Sequence, residues 1–278
     1  MKVFNAEKEI KLSDFLLDKY QGSLSFGKFC KLLKQKDIKI NGKRVSKDCK
    51  LFCGDKVECY YDGEALSISV VYQDDNILIC NKPQGITSDD YYNIIKESYK
   101  TAYYTHRLDR NTSGIIVFAL NEQAYGELYN GFKNRTFKKY YYCLVNGAFE
   151  KTSGVLKDYM VKDAESGKVK VYSNNVNGSK EIVTAYSQVK NGEVSSVLKV
   201  ELITGRTHQI RAHLAYHGHF VIGDGKYGSE KINKNFKVGK QLLIASELIF
   251  KFEKSEKLFY LNEKAFFVDN KRVFEYLK

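Results

Sequence analysis

The chain has 278 residues, of which 43% are hydrophobic and 14% aromatic, so it can form one large domain or a domain with a small module. No apolar run approaches the ~20 residues that cross a bilayer, and the first residues lack the apolar core of a signal peptide, which predicts a cytoplasmic protein. With 45 basic and 33 acidic residues the net charge is +12, which favours an anionic partner, nucleic acid being the first candidate.

The six cysteines fit a reducing compartment, in which they remain free thiols. Cys49, Cys53 and Cys59 lie close together in sequence, so a zinc site is an alternative. Because no CxxC pair is present and the spacing is loose, structural thiols are the better interpretation.

Residues 1–62 have the pattern of a small separate module. Apolar side chains at helical spacing predict two helices, with Ser25 as the N-cap of the second. These side chains are Leu12, Phe15, Leu16 and Tyr20 in the first helix and Phe26, Phe29, Cys30 and Leu33 in the second. A hairpin is predicted about Asn41-Gly42, and a closing strand at residues 57–60.

This module is strongly basic in its second half. Between Lys28 and Lys56 there are ten Lys or Arg residues against three Asp, which predicts phosphate contacts, with a solvated lysine-rich surface as the alternative. Residues 32–60 read LLKQKDIKINGKRVSKDCKLFCGDKVECY and are similar to the αL RNA-binding motif of a small-subunit ribosomal protein and of tyrosyl-tRNA synthetases. The resemblance implies an RNA-binding domain at residues 1–64, with the candidate contacts Lys28, Lys31, Lys34, Lys43 and Arg44.

The remainder, residues 65–278, is strand-rich with interspersed helices. A helix with Ser88 as its N-cap is predicted to reach Tyr99, another to follow Asn121, and a short one to run from a Thr207 cap to Gly218. Strands are predicted at residues 69–72, 77–80, 115–120, 140–145, 194–202, 242–248 and 257–261. The weak polar pattern of residues 156–191 predicts hairpins and loops. This order predicts an α+β domain with a mixed, mainly antiparallel sheet and flanking helices.

Residues 106–114 read HRLDRNTSG and place Asp109 between two arginines, just before an apolar strand. A loop anchored by a rigid element is a usual position for a reacting group. An adjacent arginine favours the ionised form of a carboxyl group, and an ionised Asp can act as a nucleophile or a base. The alternative is a surface turn with a local ion pair.

This stretch resembles the signature of the RluA-type pseudouridine synthases. Residues 200–228, which read VELITGRTHQIRAHLAYHGHFVIGDGKYG, resemble the second long motif of that family. Two shorter pieces, NKPQG at 81–85 and KYYYCLVNG at 139–147, fit in the family's order. The resemblance covers about residues 70–250 and implies an RNA pseudouridine synthase, an isomerase that acts on a flipped uridine.

The resemblance also implies roles for particular residues. Asp109 matches the catalytic Asp, Arg211 matches the arginine that pairs with it, and Tyr141 matches the active-site tyrosine, with Tyr140 as the alternative one position away. Candidate RNA contacts near the site are Arg107, Arg110, Arg206 and His208, of which Arg107 matches a side chain that enters the space left by the flipped base. Ile244 stands where the family often has His, which affects only local packing.

No cofactor and no metal are expected, because the isomerisation involves no net redox change or group transfer. His213 and His217 lie one helical turn apart, but no HExxH sequence and no evident carboxylate partner accompany them. The expected partner is RNA, in particular large-subunit ribosomal RNA, and the expected state is a monomer. Two alternatives stay open: an RNA-binding ribosome-assembly factor with secondary or lost catalysis, and an N-glycosidase that releases the base.

Overall fold

In a computed structural model, the structure describes residues 1–20, 23–24, 26–61, 67–148, 151–163 and 167–278. The chain divides into two compact units, Met1–Ile68 and Ser69–Lys278. Within the described ranges, no helix has both the length and the apolar character needed to cross a membrane.

The first unit combines two helices with two small antiparallel sheets. Its elements are β1 (Lys2–Asn5), β2 (Ile10–Lys11), α1 (Leu12–Lys19), α2 (Phe26–Gln35), β3 (Ile38–Ile40), β4 (Lys43–Arg44), β5 (Lys50–Leu51) and β6 (Lys56–Cys59). The larger sheet has the order β1-β6-β3-β4, and β2 pairs with β5. Leu12, Leu16, Phe29 and Leu33 meet in its core, which confirms both predicted helices. The predicted N-cap Ser25 lies outside the described residues.

The hairpin about Asn41-Gly42 is confirmed. Both residues have positive φ, 49° and 77°, as a type I′ turn requires. The flanking strands β3 and β4 pair in antiparallel register through Ile40 and Lys43.

The second unit is built on an 11-stranded sheet. Its strands are β7 (Val70–Gln73), β8 (Ile77–Lys82), β9 (Tyr103–Tyr104), β10 (Ser113–Ala119), β11 (Lys138–Asn146), β12 (Ser153–Lys162), β13 (Val169–Tyr172), β14 (Lys180–Asn191), β15 (Ser195–Leu202), β16 (Leu243–Ile249) and β17 (Ala265–Phe267). The main path is β13-β12-β14-β15-β11-β16-β10-β8-β7, with β9 beside β10 and β17 beside β16. Among the described pairings β10 and β16 are parallel and the others antiparallel, which confirms the predicted α+β class.

Helices flank this sheet. They are α3 (Ser88–Ser98), α4 (Glu122–Asn134), α5 (Gln209–Tyr216), α6 (Glu230–Phe236) and α7 (Lys271–Glu275), with a 3₁₀ helix at Lys257–Leu261. One core cluster joins Ile115 and Val117 of β10 to Leu128 of α4 and Phe250. Ile244 is buried in a second cluster with Leu144, Val197 and Ile222, a packing role.

Two predicted helix caps are wrong. The N-cap of α3 is Thr87, whose hydroxyl accepts from the Asp90 N–H at 3.0 Å, because Ser88 is already helical and bonds elsewhere. The N-cap of α5 is His208 in a left-handed conformation, without a side-chain cap bond, and not Thr207. Just before the helix, the backbone N–H of Arg206 donates to the side-chain oxygen of Gln209.

The prediction of a strand at residues 257–261 is also wrong. The segment is a 3₁₀ helix that buries Leu258 and Leu261, and this spacing of three matches the 3₁₀ repeat. The described residues between 156 and 191 form the predicted hairpins, but as long strands more than loops. In β12 most side chains stay exposed or half-buried on both faces, so the sequence carries little hydrophobic alternation.

Candidate active site

The three predicted catalytic residues, Asp109, Tyr141 and Arg211, line one cavity of about 400 Å³ in the second unit. This volume lies within the usual range of small-molecule sites. Three of the predicted RNA contacts line the same cavity, namely Arg107, Arg206 and His208. Arg110 is not among the lining residues, and its backbone carbonyl accepts from the Lys82 ammonium and the Gly85 N–H.

Asp109 lies on a loop whose two ends are fixed. At one end the Ser88 hydroxyl accepts from the Leu108 N–H and donates to the Leu108 carbonyl, each at 2.9 Å. At the other end Gly114 enters β10 with φ +119°, and a Cβ there would lie 2.2 Å from the Ala245 carbonyl oxygen. The Thr-Ser-Gly of the motif therefore permits β10 and β16 to meet directly behind Asp109.

Side-chain amides and an ammonium hold the remainder of this loop. The buried Lys82 ammonium donates to the Arg110 carbonyl at 3.3 Å. Gln84 Nε2 donates to the Asn111 carbonyl at 3.0 Å. Gln241 Nε2 donates to Thr112 Oγ1 at 2.7 Å. Because bonds reach residues on both sides of Asp109, its carboxylate is held in place before any substrate binds.

Arg211 joins two carboxylates. Its Nη1 donates to Asp109 Oδ2 at 2.8 Å, while its Nε and Nη2 donate to the two oxygens of Asp224 at 2.7 and 3.0 Å. Burial acts to lower the pKa of Arg211, but the bonds and charges of Asp224 and Asp109 raise it overall. The bidentate pair fixes the guanidinium plane, so that one remaining N–H points at Asp109.

Asp224 was not singled out from the sequence. It is 1% exposed, and burial would raise its pKa, but the bonds from Arg211 lower it. The only sequence feature that marks Asp224 is its position between two glycines, Gly223 and Gly225, which indicates a turn. Gly223 has φ +83°, and a Cβ there would lie 2.1 Å from the Lys240 carbonyl oxygen, so a tight turn presents Asp224 to α5.

Tyr141 lines the cavity at a point where the pairing of β11 with β16 is irregular. The pairing of β11 with β16 shifts between Tyr140 and Tyr141, and a bulge of this kind redirects side chains. Tyr141 is 8% exposed and lines the cavity with Asp109, while Tyr140 carries the Lys199 ammonium 4.4 Å from its ring. Burial and the Asp109 charge raise the pKa of Tyr141, so its hydroxyl is a neutral phenol.

Two of the predicted RNA contacts that line the cavity, His208 and Arg206, differ in how their nitrogen atoms are bonded. His208 Nδ1 lies within hydrogen-bond distance of the Tyr227 hydroxyl, at 2.9 Å, and its Nε2 lies 4.0 Å from Asp109 Oδ2. Burial lowers the pKa of His208. Arg206 lines the cavity, and its Nε is buried without a hydrogen-bond partner among the described residues.

Asp158 contradicts the expectation that no carboxylate accompanies the paired histidines. Its Oδ2 lies 2.9 Å from His213 Nε2 and 2.6 Å from His217 Nε2, and residues of these types can hold a metal. Both lengths are those of hydrogen bonds. Burial lowers the pKa of His213 despite the nearby carboxylate, so its neutral ring donates to Asp158 and accepts from the Thr184 hydroxyl, 2.9 Å from Nδ1. The cluster ties α5 to β12 and β14.

The predicted RNA contacts of the first unit lie on α2 and β4. Lys31, Lys34, Lys43 and Arg44 are exposed, and Lys28 is half-buried. Lys28, Lys31 and Lys34 recur every third residue of α2, which places them on adjoining parts of its surface. The six cysteines are free, as predicted.

Comparison with known proteins agrees with this geometry. A family model described as RNA pseudouridylate synthase matches residues 76–216. An uncharacterized RNA pseudouridine synthase of Mycoplasma genitalium is 30% identical over 236 residues, which cover 77% of this chain and 76% of that one. The ribosomal large subunit pseudouridine synthase C of Vibrio cholerae is 29% identical over 258 residues, covering 82% and 81%.

Among solved structures, human RNA pseudouridylate synthase domain containing 1 is similar with a TM-score of 0.60 and 26% identity, over 68% of this chain and 80% of that one. The family match includes Asp109, Tyr141 and Arg211 and covers half of the sequence. The chain therefore belongs to the RNA pseudouridylate synthase family, whose members are isomerases.

Proposed function

We propose that this synthase isomerises uridines of ribosomal RNA, in particular of the large subunit, with Asp109 as the reacting carboxylate. The observation that carries the proposal is the Asp109–Arg211–Asp224 chain, in which a buried, doubly fixed guanidinium directs one N–H at Asp109 on the wall of the cavity. The large-subunit assignment rests on the similarity to the ribosomal large subunit synthase of Vibrio cholerae.

The reaction exchanges one bond for another. The target uridine leaves its stack and enters the cavity, at a cost of a few kcal/mol. The bond between N1 and C1′ breaks, the uracil turns, and C5 bonds to C1′ while the C5 proton is lost and N1 gains one. Asp109 either attacks C1′ or assists the departure of uracil, and both routes need the ionised carboxylate that Arg211 orients.

The other cavity residues receive supporting roles. Tyr141 packs against the base, and its raised pKa favours this contact over removal of the C5 proton. Arg206 and the neighbouring His208, which both line the cavity, bind the phosphate or ribose of the target nucleotide. Arg107, exposed on the cavity wall, fills the space that the flipped base leaves.

The first unit is proposed to be an αL-type RNA-binding domain at residues 1–64, followed by the catalytic domain at 65–278. Support comes from the exposed cations of α2 and β4 and from the basic excess between Lys28 and Lys56. We also propose that the protein acts in the cytoplasm as a monomer, without a cofactor or metal.

Mass spectrometry of ribosomal RNA treated with the purified protein tests the activity. Isomerisation leaves the RNA mass unchanged and creates pseudouridine, whereas an N-glycosidase lowers the mass and a pure assembly factor changes neither. Mapping of pseudouridine in RNA from deletion and parent strains identifies the position. The ribosomal assignment fails if no large-subunit site is lost in the deletion strain.

A further inference from the structure

One side of α4 carries two tyrosines next to the cavity, the half-buried Tyr125 and the exposed Tyr129. The ring centroids of Tyr125 and Tyr129 lie 5.8 Å apart, and Tyr103 of β9 continues the series with its ring 5.4 Å from Tyr125 and 29° from parallel. Tyr103 is 37% exposed and Tyr129 is 43% exposed. These three residues are called the tyrosine row below.

The tyrosine row is continuous with the cavity. Lys133, one helical turn after Tyr129, lines the cavity and holds its ammonium 5.7 Å from the Tyr129 ring. Phe132 beside it also lines the cavity and stacks on His106, with ring centroids 4.0 Å apart. A path of rings and one cation thus leads from the Asp109 loop along the outer side of α4.

Core packing explains Tyr125, which is half-buried against the apolar core, but it does not explain Tyr129. The buried residues of α4 are Ala124, Leu128 and Gly131, on the face towards the sheet. Tyr129 points away from that face and leaves a large part of its ring in solvent, next to a lysine. Exposed aromatic rings interleaved with cations are typical of single-stranded nucleic-acid binding, because every base has a face that can stack.

We propose that the tyrosine row binds the bases of the RNA strand that flank the target uridine. This inference rests on the proposed function, since it needs an RNA whose uridine occupies the cavity. The flanking nucleotides leave the cavity beside Lys133, which neutralises a phosphate, and their bases stack on Tyr129 and its neighbours. The positive net charge of the chain favours RNA over an apolar protein surface as the occupant.

Binding of a fluorescein-labelled, mixed-sequence, 12-nucleotide single-stranded RNA to the full chain tests this surface. Tyr129→Leu is expected to raise Kd about tenfold, whereas Tyr129→Phe keeps the ring and stays within about twofold of the parent. The slope of log K against log salt is expected to stay unchanged in Tyr129→Leu and to fall by ~0.7 in Lys133→Gln, which no longer neutralises a phosphate.

Tyr216→Leu is the matched control, because Tyr216 is a tyrosine of similar exposure, 47%, that is not among the cavity-lining residues. The proposal is overturned if Tyr129→Leu binds like the parent, if Tyr129→Phe is equally weak, or if Tyr216→Leu weakens binding as much. Circular dichroism checks that the variants fold.

A second measurement uses the parent protein alone. RNA carrying 4-thiouridine is crosslinked by light, and a crosslink to Tyr103, Tyr125 or Tyr129 supports the proposal, while crosslinks confined to other peptides overturn it. Pseudouridine formation on ribosomal RNA is measured in parallel. If no pseudouridine forms, the proposed function is wrong, whereas the binding and crosslinking results still test whether the tyrosine row contacts RNA.

Discussion

Arg211 is the residue on which the arrangement of the cavity depends. Its guanidinium lies between two carboxylates of unequal exposure, with the Asp224 side chain at 0% and the Asp109 side chain at 19%. The buried Asp224 can act only on Arg211 and its own turn, so it is a positioning residue. Asp109 keeps access to the cavity, so it is the carboxylate that can meet a substrate.

Asp109→Asn tests the carboxylate itself, because the amide keeps size and hydrogen bonding but removes the charge. We expect kcat to fall by ~10³-fold or more, since an amide replaces an ionised carboxylate neither as nucleophile nor as base. RNA affinity is expected to change by less than about threefold, because phosphates and stacking supply most of it. Pseudouridine formed at near the parental rate would show that the chemistry lies elsewhere.

Asp224→Asn tests positioning. We expect kcat to fall by about 10–100-fold with KM little changed, because Arg211 loses its charged bidentate partner and no longer aims at Asp109. Steady-state kinetics with the same RNA measure both constants. Glu230→Gln, an exposed acid on α6, is the control for loss of one negative charge. A change in KM alone would contradict the positioning role.

Among single residues, the sequence identified those site residues that match a continuous sequence motif. Asp109, Arg211 and Tyr141 could be identified because each matches a position to which the family resemblance assigns a role. Asp224 could not be assigned a role, since its partner lies thirteen residues away on α5 and only the turn at Gly223 brings them together. The same holds for Asp158, which is 55 residues from His213 and whose strand has little sequence signature.

Among the elements, the Asp109 loop owes its shape to Lys82 at the end of β8. The Lys82 side chain is fully buried, and its ammonium donates to the carbonyls of Pro83, Ile86 and Arg110 at 3.0, 2.9 and 3.3 Å. Three donors thus meet three acceptors from two loops. The NKPQG stretch of the sequence and the Asp109 motif are held together by this one side chain.

Lys82→Met is expected to lower kcat by about 10–100-fold, because the loop loses all three bonds.

The pH dependence of kcat gives a second test of Lys82. Burial lowers the pKa of Lys82 to about 8, although the negative charge of Asp109 acts to raise it. In the parent, kcat should therefore decline above pH 8, as the ammonium loses a proton and one of its donors. A pH–rate profile of Lys82→Met should lack this decline, and the exposed Lys96→Met should keep it. Identical profiles for the parent and Lys82→Met would contradict this role.

The histidines of α5 lead to a prediction about metal. The Asp158 contacts have hydrogen-bond lengths, so we expect activity to survive exhaustive chelation and metal analysis to find no stoichiometric zinc. His217→Gln should lower Tm by a few degrees, since it removes one partly exposed bond between α5 and β12. Zinc present at one equivalent in the parent and lost in His217→Gln would show a metal site instead.

Secondary structure could be predicted where hydrophobic periodicity was strong. The apolar run of β10 and the spacing of α1, α2 and α4 identified those elements, since each buries one face or both in a core. Strands β12 and β14 were poorly defined because they bury few side chains and are held mainly by backbone pairing. The predicted caps of α3 and α5 were each off by one residue, and in α3 this is because Thr87 and Ser88 are neighbouring polar side chains that can compete for the same backbone N–H groups.

For the whole molecule, the excess of 12 positive charges is distributed over two compact units. In the first unit the cations predicted to contact RNA lie on α2 and β4, outside any catalytic motif. In the second unit Arg107, Lys133, Arg135 and Arg206 line the cavity with Asp109. Because each neutralised phosphate releases counterions, the two groups of cations contribute separately to the salt dependence of RNA binding.

The double variant Lys31→Gln/Lys34→Gln measures the contribution of the first unit. Both lysines are exposed on α2, so the fold should be retained. We expect the slope of log K against log salt to fall by ~0.7 for each phosphate of single-stranded RNA that the variant no longer neutralises. The value of kcat at saturating RNA should stay unchanged, because neither lysine lines the cavity.

Lys254→Gln/Lys257→Gln is the control variant. It removes the same charge from exposed positions of the second unit that do not line the cavity, and it should leave the slope near the parental value. Equal slopes for the parent and the α2 variant would mean that Lys31 and Lys34 neutralise no phosphate and only solvate the surface.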